Sequence, residues 1–416
     1  MARHVAIVGA GVIGLSCAYY ALKRGWQVTV IERNPELRDG CSFGNAGMIV
    51  PSHFVPLAAP GMVALGLKWM WNPESPFYIK PRLDLSLLSW AYRFWRSSTK
   101  AHVDRSAPLI RDLSFASRQC FNDLETSGLS FGLKQDGLLM LCRTAAGLDE
   151  ETHSAARAAS LGIPAEVLDP SGLAKLDPNV MTSAIGGVWY PKDCHLSPQR
   201  YVTELQSAIR KEGGDLRWET SIHGWRKEAG KIRAAQTSIG DINADEFVLC
   251  GGSWSPEIAQ PLNLGLPMQA GKGYSLTLSQ PRQMPSLCSI FTEARIAVTP
   301  MGDQLRFGGT MELCGINETI NQRRVNGIIR AIPDYYPEFQ AGDFESITPW
   351  HGLRPCSPDG LPYIGRTRRW DNLVIASGHA MMGLSLAPIT GQIVSEVLCG
   401  ERSDFHSTLL SPDRFG

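Results

Sequence analysis

Residues 5–14 read Val-Ala-Ile-Val-Gly-Ala-Gly-Val-Ile-Gly, and a second apolar run, residues 27–31, ends on Glu32. A strand, a GxGxxG turn, a helix and an acid eighteen residues past the last glycine leave little freedom in how this segment folds. The pattern predicts a βαβ unit that carries a dinucleotide on its first turn. Gly9 permits the tight turn, Gly11 lets backbone approach a pyrophosphate, and Gly14 lets the helix pack closely on the strand. Val12 and Ile13 open the helix, whose N–H groups and positive dipole end face the phosphates. Glu32 accepts the ribose hydroxyls, and Arg33 follows it in the expected cofactor-contacting set. A glycine-rich hairpin is the plainer alternative, but it does not account for the flanking helix and acid.

A chain of 416 residues predicts two domains. Lys plus Arg and Asp plus Glu number 40 each, with a sequence pI of about 7.1, so no polyanion-binding surface and no nucleic-acid partner is expected. The ten cysteines are scattered, without CxxC or Cys/His spacing, so neither a metal site nor a disulfide framework is expected. Free thiols fit a reducing compartment. The first strand starts at once, leaving no room for a signal peptide, so the expected location is cytoplasmic. No run of about 18 apolar residues is present, so no spanning helix is expected.

Residues 40–49 are small and glycine-rich, and Ser42, Asn45, Ala46, Gly47 and Met48 would let a flat ring lie against backbone. Residues 61–95 hold Trp69, Trp71, Trp90 and Trp95 with Phe77, Tyr78, Tyr92 and Phe94. This stretch reads as substrate-domain core, as a lid, or as a surface for a membrane or electron acceptor. Helices are expected over 101–127, 150–161 and 198–211, the last begun by Ser197-Pro198 and stopped by Gly213-Gly214. Strands are expected at 137–142, 185–190, 216–220, 231–238, 272–279, 295–300 and 304–311. A buried strand near 244–250 runs into Gly251 and Gly252. The strand 372–377 leads through Gly378 and His379 to a helix expected from about Leu384 to Leu398. Nucleotide-binding pieces thus fall at the start, middle and end of the chain, with antiparallel pieces between.

Five segments together carry a family likeness: the opening GxGxxG with Glu32; Ser42-Phe-Gly-Asn-Ala-Gly; Lys272-Gly-Tyr-Ser-Leu-Thr; Gly352-Leu-Arg-Pro with Pro358-Asp-Gly-Leu-Pro-Tyr-Ile-Gly; and Gly378-His-Ala-Met-Met-Gly-Leu-Ser-Leu-Ala-Pro. On these the chain resembles the glycine oxidase and D-amino-acid dehydrogenase group of flavoproteins. It is most similar to bacterial D-amino-acid dehydrogenases, including those acting on D-proline-type or hydroxyproline substrates. The resemblance implies an α/β fold, with a Rossmann-like FAD-binding domain interrupted by an antiparallel-sheet substrate domain. The expected limits are 1–60, 148–255 and 347–416 for the FAD-binding domain, and 61–147 and 256–346 for the substrate domain. The implied activity is oxidation of a D-amino acid or cyclic imino acid at Cα, with hydride passing to the flavin. Glycine or sarcosine oxidation, and a non-catalytic flavin-binding subunit, are the alternatives. The electron acceptor implied is a quinone, O2 or a partner protein, with peripheral contact to the inner face of the membrane as one variant.

Hydride transfer from an amino acid needs a neutral amine, a correctly aimed Cα–H and a held carboxylate. A carboxylate calls for arginine, whose planar fork accepts two oxygens. Arg354 stands in the family's clamp motif. Tyr274 stands where the family offers a hydroxyl to substrate, and His379 contacts substrate or flavin or else organises its turn. Met381 and Met382 replace a second family arginine, which predicts an apolar wall suited to a ring or aliphatic side chain. The turn Met382-Gly383-Leu384-Ser385 is expected to open the last helix and direct N–H groups at the N1 and C2=O side of reduced flavin. The family places Ile222 at the adenine and Gly251 and Gly252 near the pyrophosphate. No cysteine stands at the covalent-attachment position of the related sarcosine oxidases, so FAD is expected to be non-covalent.

Overall fold

The computed structural model describes residues 3–37, 40–69, 75–80, 82 and 84–416. Trp71 lies outside the described residues. The first sheet has six strands in the order Tyr363–Arg366, Leu373–Ser377, Glu246–Leu249, His4–Val8, Gln27–Ile31 and Asp215–Arg217. All neighbours in it are parallel except Tyr363–Arg366, which runs antiparallel at one edge. Strands buried on both faces need continuous apolar sequence, and Val5 to Val8, Phe247 to Leu249 and Leu373 to Ile375 supply it. The helix Val12–Lys23 packs on this sheet, and the C-terminal helix Ala387–Leu398 packs on that helix. A Cβ on Gly391 would stand 2.6 Å from the Ser16 carbonyl, so glycine sets how closely these helices approach. This contact joins the two ends of the chain in one core.

The second sheet runs in the order Trp350–Cys356, Gln269–Leu278, Gln304–Leu313, Ile296–Met301, Cys288–Phe291, Leu138–Cys142, Gly186–Tyr190 and Glu166–Leu168. Phe77–Ile79 adds to Gln304–Leu313, and most pairings are antiparallel. Helix Gln322–Tyr335 covers one face with Val325, Ile328 and Ile332 against Tyr274, Leu276 and Phe307. A separate antiparallel sheet comprises Ile222–Glu228, Lys231–Thr237 and Gly240–Asn243.

Three features depart from the sequence expectation. Glu166–Leu168, Gly186–Tyr190 and Trp350–Cys356 pair in the second sheet, although they fall within the ranges expected for the FAD-binding domain. Of these, only 185–190 reads as a strand in the sequence; 166–168 and 350–356 carry no continuous apolar run, and long-range pairing places all three in this sheet. Ile222–Glu228 forms a strand where none was expected, because most of its side chains are exposed and give no apolar signal. The last helix starts at Ala387, and residues 380–386 form a turn ahead of it.

Candidate active site

A cavity of about 1080 Å³ lies between the two sheets. Sites for one small ligand are typically about 300–1,000 Å³, so this one stands at the upper end of that range. Its walls include Gly9, Gly11, Val12, Ile13, Glu32, Arg33, Ser42, Asn45, Ala46, Met48, Ile222, Gly251, Gly252, Tyr274, Arg354, His379, Met382, Gly383 and Leu384. Gly14, Gly47, Gly378 and Ser385 stand behind the wall and shape it. A Cβ on Gly14 would sit 1.8 Å from the Gly9 carbonyl oxygen, and one on Gly47 2.3 Å from that of Leu196. Gly378 has φ +79°, a left-handed value suited to glycine. Ser385 accepts the Val50 N–H through Oγ at 3.1 Å.

The nucleotide end has the parts a phosphate and a ribose require. Gly11 caps Val12–Lys23 without a side-chain cap bond, and no acid stands in the first turn; Val12 N–H donates to Ser42 Oγ at 3.1 Å, and the positive dipole end favours an anion beside it. Glu32 is buried and accepts Ala10 N–H at 2.8 Å and Asn34 N–H at 3.0 Å. Those two bonds hold the carboxylate still, and further lone pairs remain for hydroxyl donors. The Arg33 guanidinium lies 3.9 Å from the centroid of Trp254, and both line the cavity.

The loop 40–47 starts at the nucleotide end, where Ser42 Oγ accepts the Val12 N–H, and runs along the cavity held by groups the sequence did not single out. Buried Arg306 donates from Nη1 to the Phe43 and Asn45 carbonyls at 3.1 and 2.8 Å, and burial pulls its pKa down to about 10. Ser275 Oγ donates to the Gly44 carbonyl at 3.1 Å. The Trp350 ring sits where a Cβ on Gly44 or Gly352 would come within 2.0 or 2.2 Å of it. In the turn before the last helix, Met382 and Leu386 N–H groups have backbone acceptors. Gly383 and Leu384 N–H groups have none among the described residues, and both residues line the cavity. These residues fit a flavin: a flat slot, free N–H donors at its edge and a glycine-turn helix at the far end.

Arg354 reaches the cavity from the edge strand of the second sheet. Nη1 donates to the Thr310 carbonyl at 3.0 Å, and no acid pairs with the guanidinium among the described residues. The guanidinium crosses Gly273, where a Cβ would be 2.1 Å from Nη1. Thr310 sits in a bulge. Lys272 pairs with Glu312 and Tyr274 with Gly309, so two residues oppose Gly273. Its φ of +62° is unusual for a β-branched residue, and such strain concentrates at functional sites. The bulge turns the Thr310 carbonyl onto the arginine and leaves the rest of the fork for a ligand.

Tyr274 corrects the expectation. Gly273 faces Arg354 and Ser275 faces the loop 40–47, so strand alternation sends Lys272 and Tyr274 to the opposite face. There the Tyr274 hydroxyl donates to Glu312 Oε2 at 3.0 Å and accepts Asn321 N–H at 3.1 Å. Tyr274 lines the cavity, but its hydroxyl is committed to Glu312 and Asn321. His379 lines the cavity, and its Nε2 lies 3.0 Å from Thr390 Oγ1, which itself donates to the Leu386 carbonyl. Nε2 is therefore the donor, and buried Nδ1 is an acceptor without a partner among the described residues. Burial lowers the His379 pKa to about 3, so the ring stays neutral.

The aromatic stretch divides between two roles. Trp69, Phe77, Trp90 and Phe94 line the cavity; Trp90 is buried in a core cluster with Met311, Leu313 and Cys356, and its Nε1 donates to the Cys356 carbonyl at 2.9 Å. Tyr92 and Trp95 point outward.

The family model described as FAD dependent oxidoreductase (DAO) matches residues 4–397. A protein of Methylobacterium radiotolerans named D-amino acid dehydrogenase is 32% identical over 423 residues, covering 99% of each chain. The crystal structure of glycine oxidase from Geobacillus kaustophilus superposes with a TM-score of 0.80 at 21% identity, covering 100% of each chain. L-proline dehydrogenase from P. horikoshii superposes at 0.76 with 18% identity, covering 100% of this chain and 98% of that one.

Proposed function

The chain belongs to the DAO family of FAD-dependent oxidoreductases, and from that premise we propose that it oxidises a D-amino acid at Cα. One observation carries the reading. Arg354 stands at the cavity wall, fixed by the Thr310 carbonyl and without an acidic partner, ready to take a carboxylate in two parallel hydrogen bonds. The full-length likeness to D-amino acid dehydrogenases supports the D configuration. Met140, Ile290, Ala297, Met311 and Met382 make much of the nearby wall apolar, which favours a ring or aliphatic side chain such as that of D-proline or hydroxy-D-proline.

Gly9, Gly11, Glu32, Arg33 and Ile222 would hold the adenosine and phosphate half of FAD. Ser42, whose Oγ accepts the Val12 N–H, would stand with the phosphates, and Asn45, Ala46, Met48, Gly383 and Leu384 would hold the ring. When bound, FAD supplies the hydride acceptor. The chain's own residues hold the carboxylate through Arg354, exclude water with the apolar wall that includes Trp90 and Phe94, and present N–H groups where negative charge gathers. Cys356 is fully buried, and burial pushes its thiol up to about 12, so it stays protonated and non-covalent attachment is expected. Anaerobic mixing checks the whole reading. D-proline, hydroxy-D-proline or D-alanine should bleach the yellow protein, and acid precipitation should release its flavin to the supernatant. Bleaching by L-proline alone would reverse the stereochemistry.

The outer face of helix Leu85–Ser97 supports a bilayer contact. Leu85, Leu88, Tyr92 and Trp95 are 84, 59, 57 and 60% exposed at helical spacing, with Arg96 and Lys100 exposed beside them. Apolar anchors flanked by cations suit an anionic lipid surface. No helix among the described residues is long and apolar enough to cross a membrane. The protein should sediment with anionic vesicles more than with zwitterionic ones, and Leu88→Ser with Trp95→Ser should remove most of that binding. Equal sedimentation of the double variant would refute the contact.

A further inference from the structure

A second set of polar groups reaches the same cavity from behind the loop 50–56. The short strands Met48–Ile49 and Cys194–His195 pair antiparallel and bring Asp193 under Ser52. Asp193 is fully buried. It accepts the Ser52 N–H at 3.1 Å and the Ser52 hydroxyl at 2.5 Å. Ser52 Oγ lies 3.0 Å from His53 Nδ1. A serine has one hydroxyl proton, and here it goes to the carboxylate, so His53 Nδ1–H is the donor to Oγ. That fixes the tautomer and leaves Nε2 with its lone pair. The His53 ring lines the cavity, and Nε2 has no hydrogen bond among the described residues.

An amino acid arrives as an ammonium ion and cannot give up a hydride until that charge is lost. We propose that His53 Nε2 takes the ammonium proton and that Ser52 passes a proton on to Asp193. This rests on the D-amino-acid reading above. The N–H bond of the ammonium breaks as Nε2–H forms. Nδ1–H breaks as a new Ser52 O–H forms, and the old Ser52 O–H breaks as Asp193 becomes the carboxylic acid. No electrons leave the relay, the imidazole ends neutral in its other tautomer, and the amine keeps its lone pair. The reverse path returns the proton to water after the product leaves. His53 is the catalytic residue, and Ser52 and Asp193 act through it.

The surroundings suit this division of labour. Burial, then Arg295 on the turn between Cys288–Phe291 and Ile296–Met301, lowers His53 to about 4, so the ring passes a proton rather than keeping it. Burial raises Asp193 to about 7 against the Ser52 hydrogen bonds and Arg118, which places the proton sink near neutrality. Tyr190, Cys194 and Cys288 also face Asp193, and Glu151 faces Arg295 and Tyr190. All three of the groups facing Asp193 are raised by burial and stay protonated.

The test is the rate of anaerobic flavin reduction by a D-amino acid against pH, in holoenzyme and in His53→Gln, Ser52→Ala and Asp193→Asn. The wild-type rate should rise with pH through about 7, because the Asp193 carboxylate must be ionised to accept. His53→Gln and Ser52→Ala should be at least roughly tenfold slower at pH 7, since a positioned acid or base typically gives 10²–10⁴-fold. The deficit should close above the substrate ammonium's own pKa, where free amine needs no base. Variants that keep the wild-type profile, or a deficit constant with pH, would overturn the relay. Ser52→Ala keeps that outcome readable if Asp193→Asn does not fold. Failure of every D-amino acid to reduce wild-type flavin at any pH would instead refute the underlying reading.

Discussion

Arg354→Ala should slow flavin reduction at limiting D-amino acid by roughly tenfold to a hundredfold while the protein keeps its FAD. Losing a hydrogen bond to a charged group costs about 1.5–3 kcal/mol, and each 1.4 kcal/mol is a factor of ten. An unpaired carboxylate inside the cavity adds desolvation cost to that loss. The cofactor should stay because the guanidinium bonds to Thr310 on the substrate side and to none of the groups around the glycine turn. Arg354→Lys keeps charge but loses the fork, so it should recover only part of the rate. Gly273→Ala gives an independent arm. It keeps the arginine in the chain but sets a methyl carbon 2.1 Å from the present Nη1 position, so the guanidinium must move off its seat. It should resemble Arg354→Ala in raising KM and differ in the size of the effect. Near-normal turnover of FAD-loaded Arg354→Ala, read by stopped-flow absorbance, would show that another residue holds the carboxylate.

The parts of this site that were legible in the sequence are those set by local rules. The glycine turn, Glu32 and the helix begun by Ser197-Pro198 follow from backbone conformation and capping within a few residues. The fold class and Arg354 followed from motifs. What stayed hidden depends on pairing across the chain. Tyr274 was expected to offer a hydroxyl, but which way it points is set by strand alternation and by the bulge at Thr310, neither of which leaves a mark in Lys272-Gly-Tyr. The bulge itself is carried by a threonine rather than the glycine that a left-handed φ ordinarily selects, so residue type gave no warning. Arg306 and the Asp193–Ser52–His53 set join elements more than a hundred residues apart, and their identities alone match ordinary surface or loop residues.

The same contrast explains why glycines at the cofactor end should tolerate so little. Gly14→Ala should yield protein with little or no bound FAD and a lowered melting temperature. The added methyl would stand 1.8 Å from the Gly9 carbonyl oxygen and 3.0 Å from its carbon, and both are backbone of the turn that must receive the pyrophosphate. Overpacking a core costs about 1–3 kcal/mol when side chains can shift, and a clash with backbone belongs at or above the top of that range. The helix Val12–Lys23 must slide away from the strand His4–Val8, which moves the N–H groups at its start off the phosphate position. The C-terminal helix also resists that motion, because it meets Val12–Lys23 through the close contact of Gly391 with Ser16. Gly342→Ala is the control: nothing lies within 4 Å of its added carbon, and its φ is outside the left-handed range, so flavin content and melting temperature should match wild type. Flavin absorbance after gel filtration and a thermal melt measure both. A yellow Gly14→Ala protein melting with the wild type would mean that the helix is not held against the turn as the structure places it.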